Sequence, residues 1–233
     1  VARTLFITGT DTEVGKTFVS AALLHAFSKA GLRTIGLKPV AAGCESSSQG
    51  LVNEDALTLQ HFASVKLPYS QVNPVALEAP IAPHIAAQRE GKNLSLSRLV
   101  GLCRGTLMAP HDMSIVEGAG GWLVPLNSRE LLSDLALELR TPVILVVGLR
   151  LGCLNHALLT MEAIQRRGIP LAGWIGNQCQ QESMAALEEN LDTLKSAIRA
   201  PCLGILPYSK SPDDEAVQQA LNISTLIPRD KAQ

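Results

Sequence analysis

The segment Gly9-Thr10-Asp11-Thr12-Glu13-Val14-Gly15-Lys16-Thr17 places a lysine and a hydroxyl directly behind a glycine. In such a loop, successive backbone N–H groups and the start of the following helix surround a phosphate. The lysine bridges its outer oxygens and the next hydroxyl ligates Mg²⁺. Lys16 and Thr17 fall in those positions. The strict spacing GxxxxGK[ST] is missed by one residue, because its first glycine falls on Thr10 while Gly9 stands one earlier. The alternative is a capped turn with Lys16 in water. A hydrophobic strand before the loop and an amphipathic helix after it favour nucleotide binding.

Other polar residues stand at strand ends. Lys38 follows Thr34 to Leu37 directly, and Pro39 keeps a helix from starting there. A lysine so placed could neutralise charge on a transferred γ-phosphoryl group, although spacing alone equally allows a solvated surface lysine. Glu117 ends Met113 to Val116 and precedes Gly118-Ala119-Gly120-Gly121, where a ligand can approach the backbone closely. Mg²⁺ is commonly held by one or two carboxylates plus substrate phosphates. Asp55 is therefore the second candidate ligand, with a helix-start acid placed for the dipole as the competing reading. Asn177 could meet an adenine edge or simply serve a turn. Gly152-Cys153-Leu154-Asn155-His156 opens a helix whose N–H groups could receive a carboxylate, or which Asn155 merely caps. The five histidines never adopt HExxH spacing and no GxSxG elbow occurs, which sets structural zinc and serine hydrolysis aside.

The elements that must carry these groups alternate. Thr4 to Thr8, Thr34 to Leu37, Met113 to Val116, Val143 to Val147, Ala172 to Gly176 and Leu203 to Leu206 read as strands. Helical spacing marks Thr17 to Ala30, with Gly31 as its stop. It marks a second helix capped by Ser128, a third capped by Asn155, and a fourth through Leu187, Leu191, Leu194 and Ile198. Apolar strands separated by helices predict an α/β fold, a doubly wound and mostly parallel sheet with helices on both faces and ligands at the carboxyl ends. One domain is expected over residues 1–233, with a proline-bearing irregular insertion at about 45–107.

Composition narrows the partners. With 46% hydrophobic and 18% charged residues, the 233-residue chain falls outside the disordered, collagenous and coiled-coil classes. A net charge of −1 without a basic stripe, and 3% aromatics, argue against nucleic acid and anionic lipid. The five cysteines lie no closer than 23 residues apart, which predicts reduced, buried thiols. The most apolar run, Pro142 to Leu149, is too short to span a bilayer, and the chain starts as a strand rather than a leader, so a cytoplasmic location is expected.

Taken together, GTDTEVGKT (Gly9 to Thr17), LKPVAAG (Leu37 to Gly43), VNPVALEAPIAPH (Val72 to His84), VEGAGGW (Val116 to Trp122), PVILVVGLRLGCLNHALLT (Pro142 to Thr160) and LAGWIGN (Leu171 to Asn177) resemble the dethiobiotin synthetases, P-loop NTPase-like ligases of the deviant-loop class. The resemblance spans nearly the whole chain and fades after Ser209. It implies that 7,8-diaminopelargonic acid, CO₂ and ATP become dethiobiotin, ADP and phosphate. One amine forms a carbamate, ATP phosphorylates it, and the second amine displaces phosphate to close a cyclic urea. By the same resemblance Lys38, Lys16 and Thr12 are catalytic, Thr12 lying by the carbamate, while Thr17, Asp55 and Glu117 meet Mg²⁺. Glu13, Val14, Gly15, Lys16, Thr17 and Phe18 wrap the phosphates, with Gly118, Ala119 and Gly120 nearby. Asn177 and Gln178 meet adenine, Pro207, Tyr208 and Ser209 close around the base, and Asp213 falls near a family acidic contact. The family is homodimeric. Lys38 and Ala42 touch the substrate, and Leu151, Gly152, Cys153 and Asn155 reach its distal carboxylate from the neighbouring subunit. Ala42 departs from the serine often found there, which predicts weaker or altered substrate binding. Septum-placement and partition ATPases share the class, but their signature lysine is Asp11 here and no membrane-targeting helix or basic surface is evident. Amidotransferase ligases need a glutaminase domain for which the chain has no space.

Overall fold

Strands that are apolar along their whole length must be covered on both faces, and parallel pairing between helices satisfies that demand. The computed structural model describes residues 2–48 and 50–227. In chain order the elements are β1 (Arg3–Gly9), α1 (Lys16–Lys29), β2 (Thr34–Leu37), β3 (Val40–Ala41), β4 (Glu45–Ser47), β5 (Gly50–Val52), α2 (Glu54–Phe62), α3 (Tyr69–Val72), β6 (Val75–Ala76), α4 (Pro83–Arg89) and α5 (Leu96–Thr106). They continue with β7 (Met113–Glu117), α6 (Ser133–Glu138), β8 (Val143–Gly148), α7 (Cys153–Arg166), β9 (Leu171–Asn177), α8 (Leu187–Ala197), β10 (Cys202–Leu206) and α9 (Glu215–Gln219).

Six strands form one sheet in the order β10-β9-β8-β1-β7-β2, every pair parallel. Because β1 lies between β7 and β8, the winding reverses beside it, and the crevice past its carboxyl end is where a ligand fits. Side chains alternate across the strand. Leu5 and Ile7 join Val19, Leu23 and Phe27 of α1 on one face, while Phe6 joins Leu99 of α5 and Leu135 of α6 on the other. Farther along, Leu145, Val147 and Trp174 pack with Leu191 and Leu194 of α8. All six expected strands occur, as does α1 with Gly31 behind it at φ 80.

Two expected caps are corrected. Gly152, not Asn155, caps α7, and Asn155 sits inside its first turn. Leu132 precedes α6, and the turn before it is built by Asn127, which accepts the Arg129 and Glu130 N–H groups, and by Asp134, which accepts that of Leu131. Asn127 and Asp134 out-compete the Ser128 hydroxyl as local acceptors. Residues 45–107 hold the β4–β5 hairpin, α2 to α5 and β6, which pairs with β3 just before them, and Leu59, Leu77 and Leu99 are fully buried. The cysteines are free thiols. Cys44, Cys103 and Cys153 are buried as expected, but Cys202, at the start of β10, is half-buried against the Trp174 cluster, and Cys179, just past the end of β9, is exposed. Among the described residues no helix is long and apolar enough to cross a membrane.

Candidate active site

The loop between β1 and α1 owes its shape to close approaches of backbone. At Gly15, where φ is 83°, a Cβ would stand 2.1 Å from Asn177 Nδ2. That amide donates to the Val14 carbonyl at 3.0 Å, so the loop is pinned to the end of β9. A Cβ at Gly9 would come within 2.6 Å of Val14 Cγ2, which explains a glycine at this position. Val19 N–H donates to the Gly15 carbonyl at 3.0 Å and starts α1, leaving the earlier N–H groups of the turn to face the crevice. Lys16 is buried, and its ammonium donates to the Asp11 carbonyl at 3.1 Å. Burial, and then the positive charge of Lys38, bring its pKa down to about 8. Asp11 itself pairs outward with Arg150 at 2.7 Å.

Opposite the loop, the ends of β2 and β7 bring a second lysine among carboxylates. Lys38 Nζ donates to Glu117 Oε1 at 2.6 Å and the Gly118 carbonyl at 3.0 Å, and lies 3.0 Å from Asp55 Oδ2. Thr17 Oγ1 donates to the same Glu117 oxygen at 2.7 Å. Burial works to lower the Lys38 pKa, but Glu117 and Asp55 outweigh it and hold it above the usual lysine value. For Asp55, burial is outweighed by Lys38 and the Thr17 hydroxyl, and its pKa falls. Asp55 gets there because Asn53 caps α2, its side chain accepting the Ala56 N–H. Asp55 thus lies in a first helical turn, as a dipole-placed acid would, and also beside Lys38 in the cluster.

Glu117 Oε2 is buried and has no hydrogen-bond partner. A buried carboxylate oxygen left unmatched is costly, and a cation is what it can accept. Among the described residues no group of three or more His, Cys, Asp or Glu side chains gathers as a metal cage. The Glu117 and Asp55 carboxylates, both at Lys38, and the Thr17 hydroxyl on Glu117 are, however, the hard-oxygen set that Mg²⁺ takes together with phosphates. The residues fit Mg²⁺.

Both lysines open on one cavity of about 780 Å³, which Thr12, Glu13, Gly15, Thr17, Ala42, Asp55, Ala119 and Gly120 also line. Pro80 to Pro83 and Leu123 to Pro125 form its far wall. A chamber lined by two lysines, the Thr17 hydroxyl and the Asp55 carboxylate at a loop–helix junction can hold a triphosphate and bring an acceptor to its outer end.

Comparison with known proteins decides the family. A family profile described as an AAA domain matches residues 3–216. An ATP-dependent dethiobiotin synthetase of Marinobacter nauticus is 50% identical over 229 residues, covering 97% of this chain and 98% of that protein. The enzyme of the same description from Cellvibrio japonicus is 53% identical, with the same coverage of each chain. The chain belongs to the dethiobiotin synthetase family. Among solved structures, a chain of the MinC:MinD cell division protein complex of Aquifex aeolicus superposes with TM-score 0.57 at 14% identity, covering 96% of this chain and 88% of that one. A ParA-family ATPase of Chlorobium tepidum gives 0.55 at 14% identity, covering 100% and 95%. At that identity they share the fold and nothing more.

Some residues singled out in the sequence lie away from this chamber. Leu151 is 94% exposed, and neither it nor Gly152, Cys153 or Asn155 lines the chamber. The Cys153 thiol is buried in the cluster with Leu145, Ala157 and Trp174, and its N–H donates to the Arg150 carbonyl at 2.9 Å. Phe18 packs its ring against the α1 face of the core, so only its backbone faces the loop. Gln178 N–H donates to the Leu206 carbonyl at 3.0 Å, which sets Pro207, Tyr208 and Ser209 beside Asn177. Ser209 is already bonded to Asp214, and Asp213 to the Ser211 hydroxyl, so those side chains serve the turn itself. Sequence reasoning missed Asn53, Tyr69, Asn73 and Arg150. The run Asn53-Glu54-Asp55 carries a capping signature and Asn73 precedes a proline, but nothing local marks Arg150.

Proposed function

We propose that this chain makes dethiobiotin from 7,8-diaminopelargonic acid, CO₂ and ATP, and that the cavity between Lys16 and Lys38 is where it does so. In this reading the β1–α1 loop and Lys16 hold the β- and γ-phosphates, and Asn177 and Gln178, with the turn at Pro207 to Ser209, hold the base. Thr17, Asp55 and Glu117 hold Mg²⁺, which when bound supplies charge neutralisation at the phosphates. Lys38, beside Thr12 and Ala42, lies against the carbamate and the phosphoryl group moving onto it. Its charge matters most as negative charge builds on the transferring oxygens, and its burial keeps water from the reactive anhydride. The observation that carries the reading is Lys38 itself, a buried ammonium bound to both Glu117 and Asp55 at the outer end of a phosphate-binding loop.

The same reading makes the working unit a homodimer, with the α7 start of one subunit reaching the substrate carboxylate of the other. Its support is Leu151, 94% exposed, and separately a hollow in which the exposed Leu123 and Leu159 lie with Leu131 and Ala163, ringed by Glu162, Arg166 and Arg167. Apolar surface of this kind calls for a partner. The deciding experiment incubates purified protein with the diamine, bicarbonate and Mg-ATP and looks for the cyclic urea by mass. ADP released without urea would instead favour a nucleotide-driven switch. Sedimentation of the protein as a monomer at assay concentration would remove the dimer.

A further inference from the structure

Tyr69 and Asn73 carry no charge and do not line the cavity, yet one run of hydrogen bonds through them joins the backbone of Lys38 to the start of α2. Asn73 is 3% exposed. Its Nδ2 donates to the Lys38 carbonyl at 2.7 Å and the Val75 carbonyl at 3.3 Å, and its Oδ1 accepts the Tyr69 hydroxyl at 3.0 Å. The Tyr69 oxygen in turn accepts the backbone N–H of Asn53 at 2.7 Å. Asn53 is the cap of α2, two residues before Asp55. The circuit closes where Asp55 meets Lys38 Nζ at 3.0 Å. The Lys38 N–H is fixed as well, by the Val72 carbonyl at 2.8 Å. Pro74 disfavours helical backbone at Asn73, which ends α3 there at φ −126° and leaves its side chain to bond Lys38.

A polar network anchored on the buried Asn73, with donors and acceptors matched along it, favours one geometry, and groups that orient a ligand from behind tune it strongly. We infer that Tyr69 and Asn73 are positioning residues for the reaction, holding the backbone of Lys38 and the start of α2 in one register so that the Lys38 amine and the Asp55 carboxylate reach the same end of the nucleotide. This rests on the roles given above to Lys38 and Asp55.

Tyr69→Phe removes one hydroxyl and leaves Asn73's two donations in place. Two measurements test it: calorimetric binding of a non-hydrolysable ATP analogue across a Mg²⁺ titration, and steady-state turnover, both run below the melting temperature of the variant. The Mg²⁺ needed for half-maximal analogue binding should rise about three- to tenfold and kcat should fall about tenfold, with KM for the diamine within about twofold. In an Asp55→Asn background, adding Tyr69→Phe should change the Mg²⁺ dependence by less than about twofold, because the pair acts through one carboxylate. Full multiplication of the two effects overturns the inference. A silent Tyr69→Phe beside an altered Asp55→Asn overturns the relay alone, whereas a silent Asp55→Asn removes the metal-site reading and the relay with it. Should Tyr69→Phe fail to fold, Asn73→Ser carries the same expectation, and its silence is equally fatal.

Discussion

Two buried lysines face one cavity and are held in opposite ways. Lys16 comes from a loop built on backbone, donates to a carbonyl, and is pushed by burial and by Lys38 to a pKa of about 8. Lys38 comes from a strand end crowded with side chains, and two carboxylates raise its pKa in spite of burial. An ammonium whose charge is poorly compensated gains most when an anion arrives. One already paired with carboxylates gains little from binding and must exchange partners before it can act. On the proposed function, this makes the loop side the binding side and the β2–β7–α2 side the reacting side.

The sharpest way to break this contrast is at Lys38. In Lys38→Met, turnover should fall about a thousandfold while affinity for a non-hydrolysable ATP analogue changes little, since the lost charge is needed most in the transition state. The protein should also lose about 3–5 kcal/mol of stability, because the variant strands the Glu117 carboxylate, whose side chain is fully buried. Kinetics and chemical unfolding read the two effects separately, and near-normal turnover would take Lys38 out of the chemistry. Lys16→Gln should do the reverse. Analogue affinity should drop about a hundredfold with no loss of stability, because a desolvated charge is removed from a site that penalises it. If calorimetry showed the larger binding loss for Lys38→Met, the division between the two sides would be wrong.

Gly15→Ala probes how the binding side keeps its shape. The new methyl group would collide with Asn177 Nδ2 at 2.1 Å on a backbone with φ 83°, so a loss of about 1–3 kcal/mol is expected from thermal or urea unfolding, together with weaker analogue binding. Melting equal to that of the parent would show that Asn177 can move aside freely.

The same contrast explains what the sequence made visible. On the binding side, geometry follows from residue type at fixed spacing. Glycines where backbones touch, a lysine and threonine at a helix start, and β-branched strands before and after could all be read from neighbours in the chain. On the reacting side, Lys38, Asp55 and Glu117 belong to segments far apart in sequence, and what aims them is a set of side-chain bonds through Asn53, Tyr69 and Asn73. Candidate residues could be named there from strand ends and from family resemblance, but no periodicity encodes a hydrogen bond between residues 53 and 69. The caps at Ser128 and Asn155 failed for a related reason. Ser and Asn were correctly read as cap formers, but better-placed acceptors at Asn127 and Asp134, and a left-handed glycine at 152, took the positions.

A pH titration gives a smaller effect with a definite sign. Below pH 8 the Lys16 amine of the free protein is already charged, and analogue affinity should be flat. Above pH 8 the free amine is neutral while phosphate favours its charged form, so binding takes up a proton and affinity falls, by up to about tenfold per pH unit. Calorimetry at pH 9 in buffers of different ionisation enthalpy measures that proton directly, and an uptake of zero would mean that Lys16 does not titrate with binding.

The smallest effect tests whether the outer bond of the loop matters to either side. Asp11 pairs with Arg150 where both side chains are about half exposed, at 48% and 49%, so screening leaves the pair worth less than about 1 kcal/mol. Asp11→Asn should therefore barely change stability. The Asp11 charge does, however, help to raise the Lys16 pKa. Removing it should move the pH at which analogue affinity begins to fall downward by a few tenths of a unit, an expected displacement in keeping with a weak, solvent-screened interaction. A shift upward would mean that Arg150, released from Asp11, takes over as the nearer charge and holds the phosphate in place of Lys16.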